Sequence, residues 1–204
     1  MLYFVPTTRS QNAPCLAGVI VGRQIRLFRA QVHYRALARF RCILYLEHCM
    51  RNVFMERAIE LAIENVRSGR GGPFGAVVVR GGEIAGTGVN SVTASNDPTA
   101  HAEVMAIREA CRQLGAFQLS GCDLYTSCEP CPMCLGAIYW ARLDRVFYGG
   151  TRDDAAQAGF DDAFIYDQLC SGLVTRSMPM EPLMRAEAIE AFREWERSGL
   201  KIPY

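Results

Sequence analysis

The feature that most constrains how this chain can fold is a pair of short segments 30 residues apart, His101-Ala102-Glu103 and Pro130-Cys131-Pro132-Met133-Cys134, whose side chains are useful only together. His101, Cys131 and Cys134 are nitrogen and sulfur donors of the kind that hold zinc. A catalytic zinc takes three protein ligands and leaves its fourth tetrahedral position to water. Local geometry supports the grouping. Cys131 and Cys134 are three apart with Pro130 and Pro132 beside them, which places both sulfurs on one face near a helix N-terminus. The positive end of the helix dipole there favours thiolates. His101 and Glu103 would diverge by about 200° inside a helix and can converge only at its first turn. Asp97-Pro98-Thr99 supplies a helix start just upstream.

In this scheme Glu103 is not a ligand but the nearby carboxylate that takes a proton from water and passes it to the substrate. The competing readings are structural. A Cys-x-x-Cys pair on its own is more often a zinc knuckle or a redox pair, and Cys128 lies close enough in sequence to close the site as a fourth ligand. A structural site, however, has no use for Glu103. The combination His-x-Glu followed by Pro-Cys-x-x-Cys is similar to the signature of zinc-dependent base deaminases, and one zinc per subunit is the expected cofactor.

A chain of 204 residues, half of them hydrophobic, can bury one sizeable core, so a single catalytic domain is expected. The net charge of +1 hides a division. Residues 1–49 hold seven arginines and one acid, Glu47, whereas the remaining 155 hold 15 basic and 20 acidic side chains, a balance of −5. A nucleic-acid backbone is normally met by a basic patch or stripe, so this balance points to a small uncharged substrate and away from nucleic acid. Nine cysteines would suggest disulfides in a secreted protein, but zinc claims two of them, and Cys111, Cys122 and Cys170 fall in apolar helix-like or strand-like settings. A reducing cytoplasm is the simpler reading. The longest apolar run, residues 13–22, is half the roughly 20 residues a membrane span needs. Residues 1–49 are therefore read as an extension to a deaminase domain at 50–204. The extension is either disordered or upstream of a true start at Met50 or Met55; its arginine-rich, acid-poor composition is also similar to an organelle transit peptide, though it has no clear cleavage signal.

Within the domain, residues 51–68 carry a helical apolar period at Phe54, Ala58, Leu61, Ala62 and Ile63 that ends at Gly69. Residues 75–80 and 83–90 read as strands joined in a hairpin by Gly81-Gly82. Residues 101–114 and 131–142 read as helices, 123–127 and 145–149 as strands, 173–178 as a fifth strand and 184–197 as a terminal helix. Strands alternating with helices imply βαβ crossovers. The expected fold is an α/β three-layer α/β/α sandwich around a mixed, mostly parallel five-stranded sheet.

Four stretches carry a closer resemblance: Gly72-Pro73-Phe74-Gly75-Ala76, residues 95–103 (SNDPTAHAE), residues 125–142 (YTSCEPCPMCLGAIYWAR) and Ala158-Gly159-Phe160-Asp161-Asp162. Through them the chain from Pro73 to Tyr204 resembles the bacterial guanine deaminases of the cytidine deaminase-like superfamily. That resemblance implies conversion of guanine to xanthine and ammonia, with His101, Cys131 and Cys134 as metal ligands and Glu103 and Asp162 as catalytic groups. It also implies substrate contacts from Phe74, Asn90, Ala102, Trp140, Asp162 and Tyr204, and a domain-swapped homodimer in which Tyr204 closes the partner's pocket. Taken from the sequence alone, Asn90 is equally a turn former, Asp162 a helix cap, and Phe74 and Trp140 core residues. Three rival functions are weaker. A plant-type guanosine deaminase shares the zinc motifs, but Trp140-Ala141-Arg142 favours the free-base enzyme. The alternating charges of the C-terminal helix argue against a tRNA adenosine deaminase. A non-catalytic zinc module would have lost Glu103.

Overall fold

The computed structural model describes residues 52–203. Expectations for residues 1–49, the Met50 start and Tyr204 lie outside the described residues. Helix α1 (Val53–Arg67) begins where the Asn52 side chain accepts the N–H groups of Phe54 and Met55 at 3.0 and 3.1 Å, a side-chain N-cap. Strands β1 (Gly75–Arg80) and β2 (Glu83–Val89) form the expected hairpin. Gly81 and Gly82 at its tip have φ of 58° and 85°, the left-handed pair that a tight two-residue turn requires. There follow α2 (Val92–Ser95), α3 (Ala102–Leu114), β3 (Cys122–Cys128), α4 (Pro132–Ala141), β4 (Arg145–Gly150), α5 (Arg152–Gln157), α6 (Ala163–Cys170), a 3-10 turn at Leu173–Thr175 and α7 (Arg185–Arg197).

The sheet has the order β2-β1-β3-β4. β1 is antiparallel to both neighbours and β3 is parallel to β4. Three strands thus run one way and only β1 runs against them, so β2-α3-β3 and β3-α4-β4 are both crossovers of the expected kind. Alternate residues of β1 point to opposite faces. Val77 and Val79 pack with Tyr125 against Ala58 of α1, while Ala76 and Val78 pack against Ala106 and Ala110 of α3 and Ile138 of α4. Helices therefore cover both faces, as the three-layer reading requires.

The fifth strand is not formed: the described residues give a four-stranded sheet. Residues 173–178 instead hold the 3-10 turn, and Val174 is 97% exposed. The backbone N–H of Ser177 donates to the Gln168 side chain at 2.7 Å and Arg176 Nε donates to the Gln168 carbonyl at 3.0 Å. This segment is tied to α6 and not to the edge of β4, and Pro179 and Pro182 follow it closely, where a ladder would need N–H donors.

One contact fixes where the site forms. A Cβ on Gly88 would fall 2.1 Å from the Ala102 carbonyl oxygen, and one on Gly86 would fall 2.5 Å from the Ala110 nitrogen. Glycines in β2 facing Ala102, Ala106 and Ala110, spaced four apart on one helix face, let the backbone of α3 lie directly on the strand. The start of α3 is thereby held against the end of β2. Among the described residues no helix is long and apolar enough to cross a membrane.

Candidate active site

His101 is the N-cap of α3 and Cys131 the N-cap of α4, with Pro132 in the first turn of α4. Both helices start at the same end of the sheet, so residues distant in sequence meet there. Cys131 Sγ and Cys134 Sγ each lie 3.5 Å from His101 Nδ1, and the three ligand atoms lie within 4.8 Å of one another. Zinc bonded at about 2.3 Å to sulfur and about 2.0 Å to nitrogen in a tetrahedron sets each N···S edge near 3.5 Å. The donor set fits that ion in kind and in spacing.

The three donors perturb one another's protonation. The Cys134 sulfur beside it holds Cys131 down to about 4, with His101 adding to the effect, and contact with Cys131 together with burial pushes Cys134 up. The hydrogen bond to Cys131 raises His101. Cys128 behaves differently. Burial pushes its thiol up to about 11, it donates to the Thr151 carbonyl at 3.6 Å, and the converging donor atoms are those of His101, Cys131 and Cys134 without it.

Glu103, in the first turn of α3, is only 5% exposed. Its Oε1 accepts from the Thr126 hydroxyl at 3.3 Å and its Oε2 from the Cys134 thiol at 3.4 Å. Burial raises it above the usual carboxylate range, which suits a group that must both take and give a proton near neutral pH.

His101, Glu103 and Cys131 line one cavity of about 250 Å³ with Phe74, Asn90, Phe160, Asp162 and Ile165, small for a ligand site. Phe74 and Phe160 meet edge to face at 4.9 Å between ring centres. The structure brings Asn90 and Asp162 into this cavity. Asp162 precedes α6 but makes no side-chain cap bond, whereas Asp161 Oδ1 accepts the Ala163 N–H at 2.9 Å. Asp161 performs the capping, and the Asp162 carboxyl is raised first by burial and then by the Cys131 charge. Asn90 Oδ1 accepts only long bonds, from Gly72 and Val92 N–H at 3.5 and 3.4 Å.

Two expected contacts fall elsewhere. Trp140 is 69% exposed and lines a separate apolar cavity of about 580 Å³ with Val104, Ile107, Phe117 and Ile202. It sits nine residues beyond Cys131 on the same helix, about 13 Å along the axis at 1.5 Å per residue. The Ala102 side chain is wholly buried beneath Gly88 and does not line the cavity.

Several residues around the cavity escape sequence reasoning. Glu129 Oε2 accepts the Arg152 N–H at 3.1 Å, the Arg152 guanidinium lies 5.1 Å over the Tyr166 ring, and the Tyr166 hydroxyl donates to the Pro130 carbonyl at 3.5 Å. Together they tie α5 and α6 to the metal-binding loop. The capping box of Thr151 and Asp154 was the readable signal for α5; nothing local announced Thr126 or Phe160 as neighbours of the site.

Residues 50–150 match the family described as the cytidine and deoxycytidylate deaminase zinc-binding region. Guanine deaminase of Bacillus subtilis (strain 168) is 55% identical over 151 residues, 74% of this chain and 97% of the relative. Its X-ray structure superposes with a TM-score of 0.73. Guanine deaminase from Nitrosomonas europaea is 30% identical with a TM-score of 0.51, over 68% of this chain and 70% of that one. The tRNA-specific adenosine deaminase of Aquifex aeolicus (strain VF5) is 49% identical over 76 residues, which is 37% of this chain and half of that protein. Because the likeness to the Bacillus enzyme runs nearly its whole length while the likeness to the adenosine deaminase stops halfway, this chain belongs to the guanine deaminases of the cytidine and deoxycytidylate deaminase zinc-binding family.

Proposed function

We propose that this chain hydrolyses guanine to xanthine and ammonia in the cavity between the starts of α3 and α4. The observation that carries the reading is the buried carboxylate of Glu103 beside three convergent zinc donors, in one small cavity with Asn90 and Asp162. His101, Cys131 and Cys134 would hold a zinc ion, which would supply Lewis acidity at the reacting centre and ease deprotonation of the attacking water at neutral pH. Glu103 takes one proton from the attacking water and delivers it to a purine ring nitrogen as the new C–O bond forms at C2, then takes the second proton from the new C2 hydroxyl and gives it to the departing amine. One water is consumed, the C2–N bond breaks and ammonia leaves.

Asn90 and Asp162 bind the polar edge of the purine, and Phe74 with Phe160 covers its apolar face and excludes water. A small site closed over by a partner's C-terminal tail accepts a free base more readily than a nucleoside, since ribose at N9 would need space the closed pocket lacks. It also takes a small molecule in preference to nucleic acid, in keeping with the acidic balance of residues 50–204.

The remaining wall comes from a second subunit, through Tyr204 of an exchanged C-terminal segment. Two facts support this. No residue of α7 is buried, with Phe192 70% exposed, so its apolar side is open to a partner. Ile202 lies beside Trp140 in a cavity that shares no lining residue with the zinc-site cavity. A reducing cytoplasm suits a chain whose described cysteines are free thiols. Residues 1–49 are dispensable in this reading, and a chain beginning at Met50 carries the activity.

The test is ammonia release by zinc-loaded protein from guanine, guanosine, deoxyguanosine, adenine and cytosine. Guanine should give the highest kcat/KM. Equal or better kcat/KM with guanosine would assign the chain to nucleosides, and no release from any of them would refute the reading.

A further inference from the structure

Asn65 is wholly buried in α1, on the side that packs against the sheet with Ala58 and Ala62. Its Nδ2 donates two bonds, to the Asn90 carbonyl at 2.7 Å and to the Gly72 carbonyl at 2.9 Å. The two acceptors are joined in turn: the Asn90 N–H donates to the Phe74 carbonyl at 3.1 Å, and the Phe74 N–H donates to the Gly72 carbonyl at 2.8 Å. One amide therefore closes a ring through the residue after β2 and the loop before β1, the two segments that carry Asn90 and Phe74 into the cavity. The ring has no slack. A Cβ on Gly71 would fall 2.1 Å from the Asn90 oxygen and 3.0 Å from Asn65 Nδ2.

The other half of this amide argues in the same direction. Asn65 Oδ1 is buried with no hydrogen-bond partner among the described residues, and such orphans are rare because each is a cost. The opposite amide orientation would set Oδ1 against two carbonyl oxygens, so the acceptors dictate which way the group points. A leucine would fill the same space without stranding a polar atom. What leucine cannot do is hold two carbonyls.

We infer that Asn65 is a positioning residue for purine binding, clamping the backbone of Asn90 so that its side chain is presented to the base. The inference rests on the reading of Asn90 as a purine contact. Steady-state kinetics with guanine test it on the zinc-loaded enzyme, using Asn65→Ala, which removes the clamp and leaves a hole, and Asn65→Leu, which removes the clamp and restores the volume. Both should raise KM about fivefold with kcat within twofold. On a Glu103→Gln background, both should weaken calorimetric binding of 8-azaguanine, a ring analogue of guanine, by the same factor, with zinc content unchanged. In an Asn90→Ala background, adding Asn65→Ala should change KM less than twofold, because the contact it positions is already gone.

A purely structural role predicts the reverse: KM would follow thermal stability, and Asn65→Leu would behave as wild type. That result, or a KM effect that persists undiminished on top of Asn90→Ala, overturns the inference. If Asn90→Ala alone leaves KM unchanged, the purine-contact reading fails and the inference falls with it. If Asn90→Ala raises KM but neither Asn65 variant does, the inference alone fails.

Discussion

Replacing Thr126 with valine should lower kcat for guanine about tenfold while leaving KM within twofold. Thr126 is buried in β3, and its hydroxyl donates to Glu103 Oε1 at 3.3 Å. The Cys134 thiol meets Oε2 at 3.4 Å, but a metal-bound cysteine is deprotonated and has no proton to donate. In the loaded enzyme Thr126 is therefore what holds one oxygen of the carboxylate, leaving the other to move the proton. Valine preserves the shape and buries no new polar atom, so the sheet stays intact. A hydrogen bond to a charged group contributes about 1.5–3 kcal/mol, and a 3.3 Å bond belongs at the weak end. About 1.4 kcal/mol is a factor of ten in rate, and the loss falls on kcat because Glu103 acts in the transition state and not in holding the base. The assay is ammonia release at saturating guanine, with zinc content measured on the same samples. Thr126→Ser, which keeps the hydroxyl, should recover most of the rate. A valine variant within twofold of wild type, or a serine variant as slow as valine, would refute the reasoning.

Cys131→Ala should lose the zinc, from about one ion per subunit to almost none by metal analysis, whereas Glu103→Gln should keep it and lose turnover by about 10² or more. Gly88→Ala drives a Cβ to 2.1 Å from the Ala102 carbonyl oxygen, a backbone atom that cannot swing aside. Denaturant unfolding should show about 1–3 kcal/mol lost, and zinc affinity should fall because His101 moves with α3. Removing residues 201–204 should leave a folded, zinc-loaded protein with much reduced activity. Mixing it with Glu103→Gln and allowing subunits to exchange should restore some turnover, since an intact tail then covers an intact zinc site. Unchanged kinetics, or a fully active monomer, would defeat the shared-lid reading.

Local chemistry made much of this protein legible before any fold was known. The helix starts at His101 and Cys131 follow from short-range rules about which residues open a helix, and the hairpin at Gly81-Gly82 follows from the left-handed backbone that its turn demands. The zinc donors were readable because sulfur and imidazole in that spacing have few alternative uses. The alternation of strands and helices also pointed correctly to crossovers, because a parallel connection needs a helix to return the chain.

What stayed hidden depended on which surfaces met. Residues 173–178 have a strand's composition, but whether they join a sheet depends on an available edge and on where their N–H groups find acceptors, and Gln168 took that part. Asp161 and Asp162 are interchangeable as cap formers on paper; only the tertiary structure shows Asp161 capping α6 and the Asp162 side chain, at the same cavity, left out of the cap. Trp140 belongs to the motif-bearing helix, yet the helical rise carries it to another cavity. By itself the sequence determined which groups can bind the metal, where helices begin and where the chain turns, because those preferences act over a few residues. Only the tertiary structure decided that Thr126 holds Glu103 and that Asn65 holds Asn90. Those bonds span 23 and 25 residues, and they exist only because glycines facing alanines let α3 settle on β2 and a glycine at 75 lets α1 settle on β1.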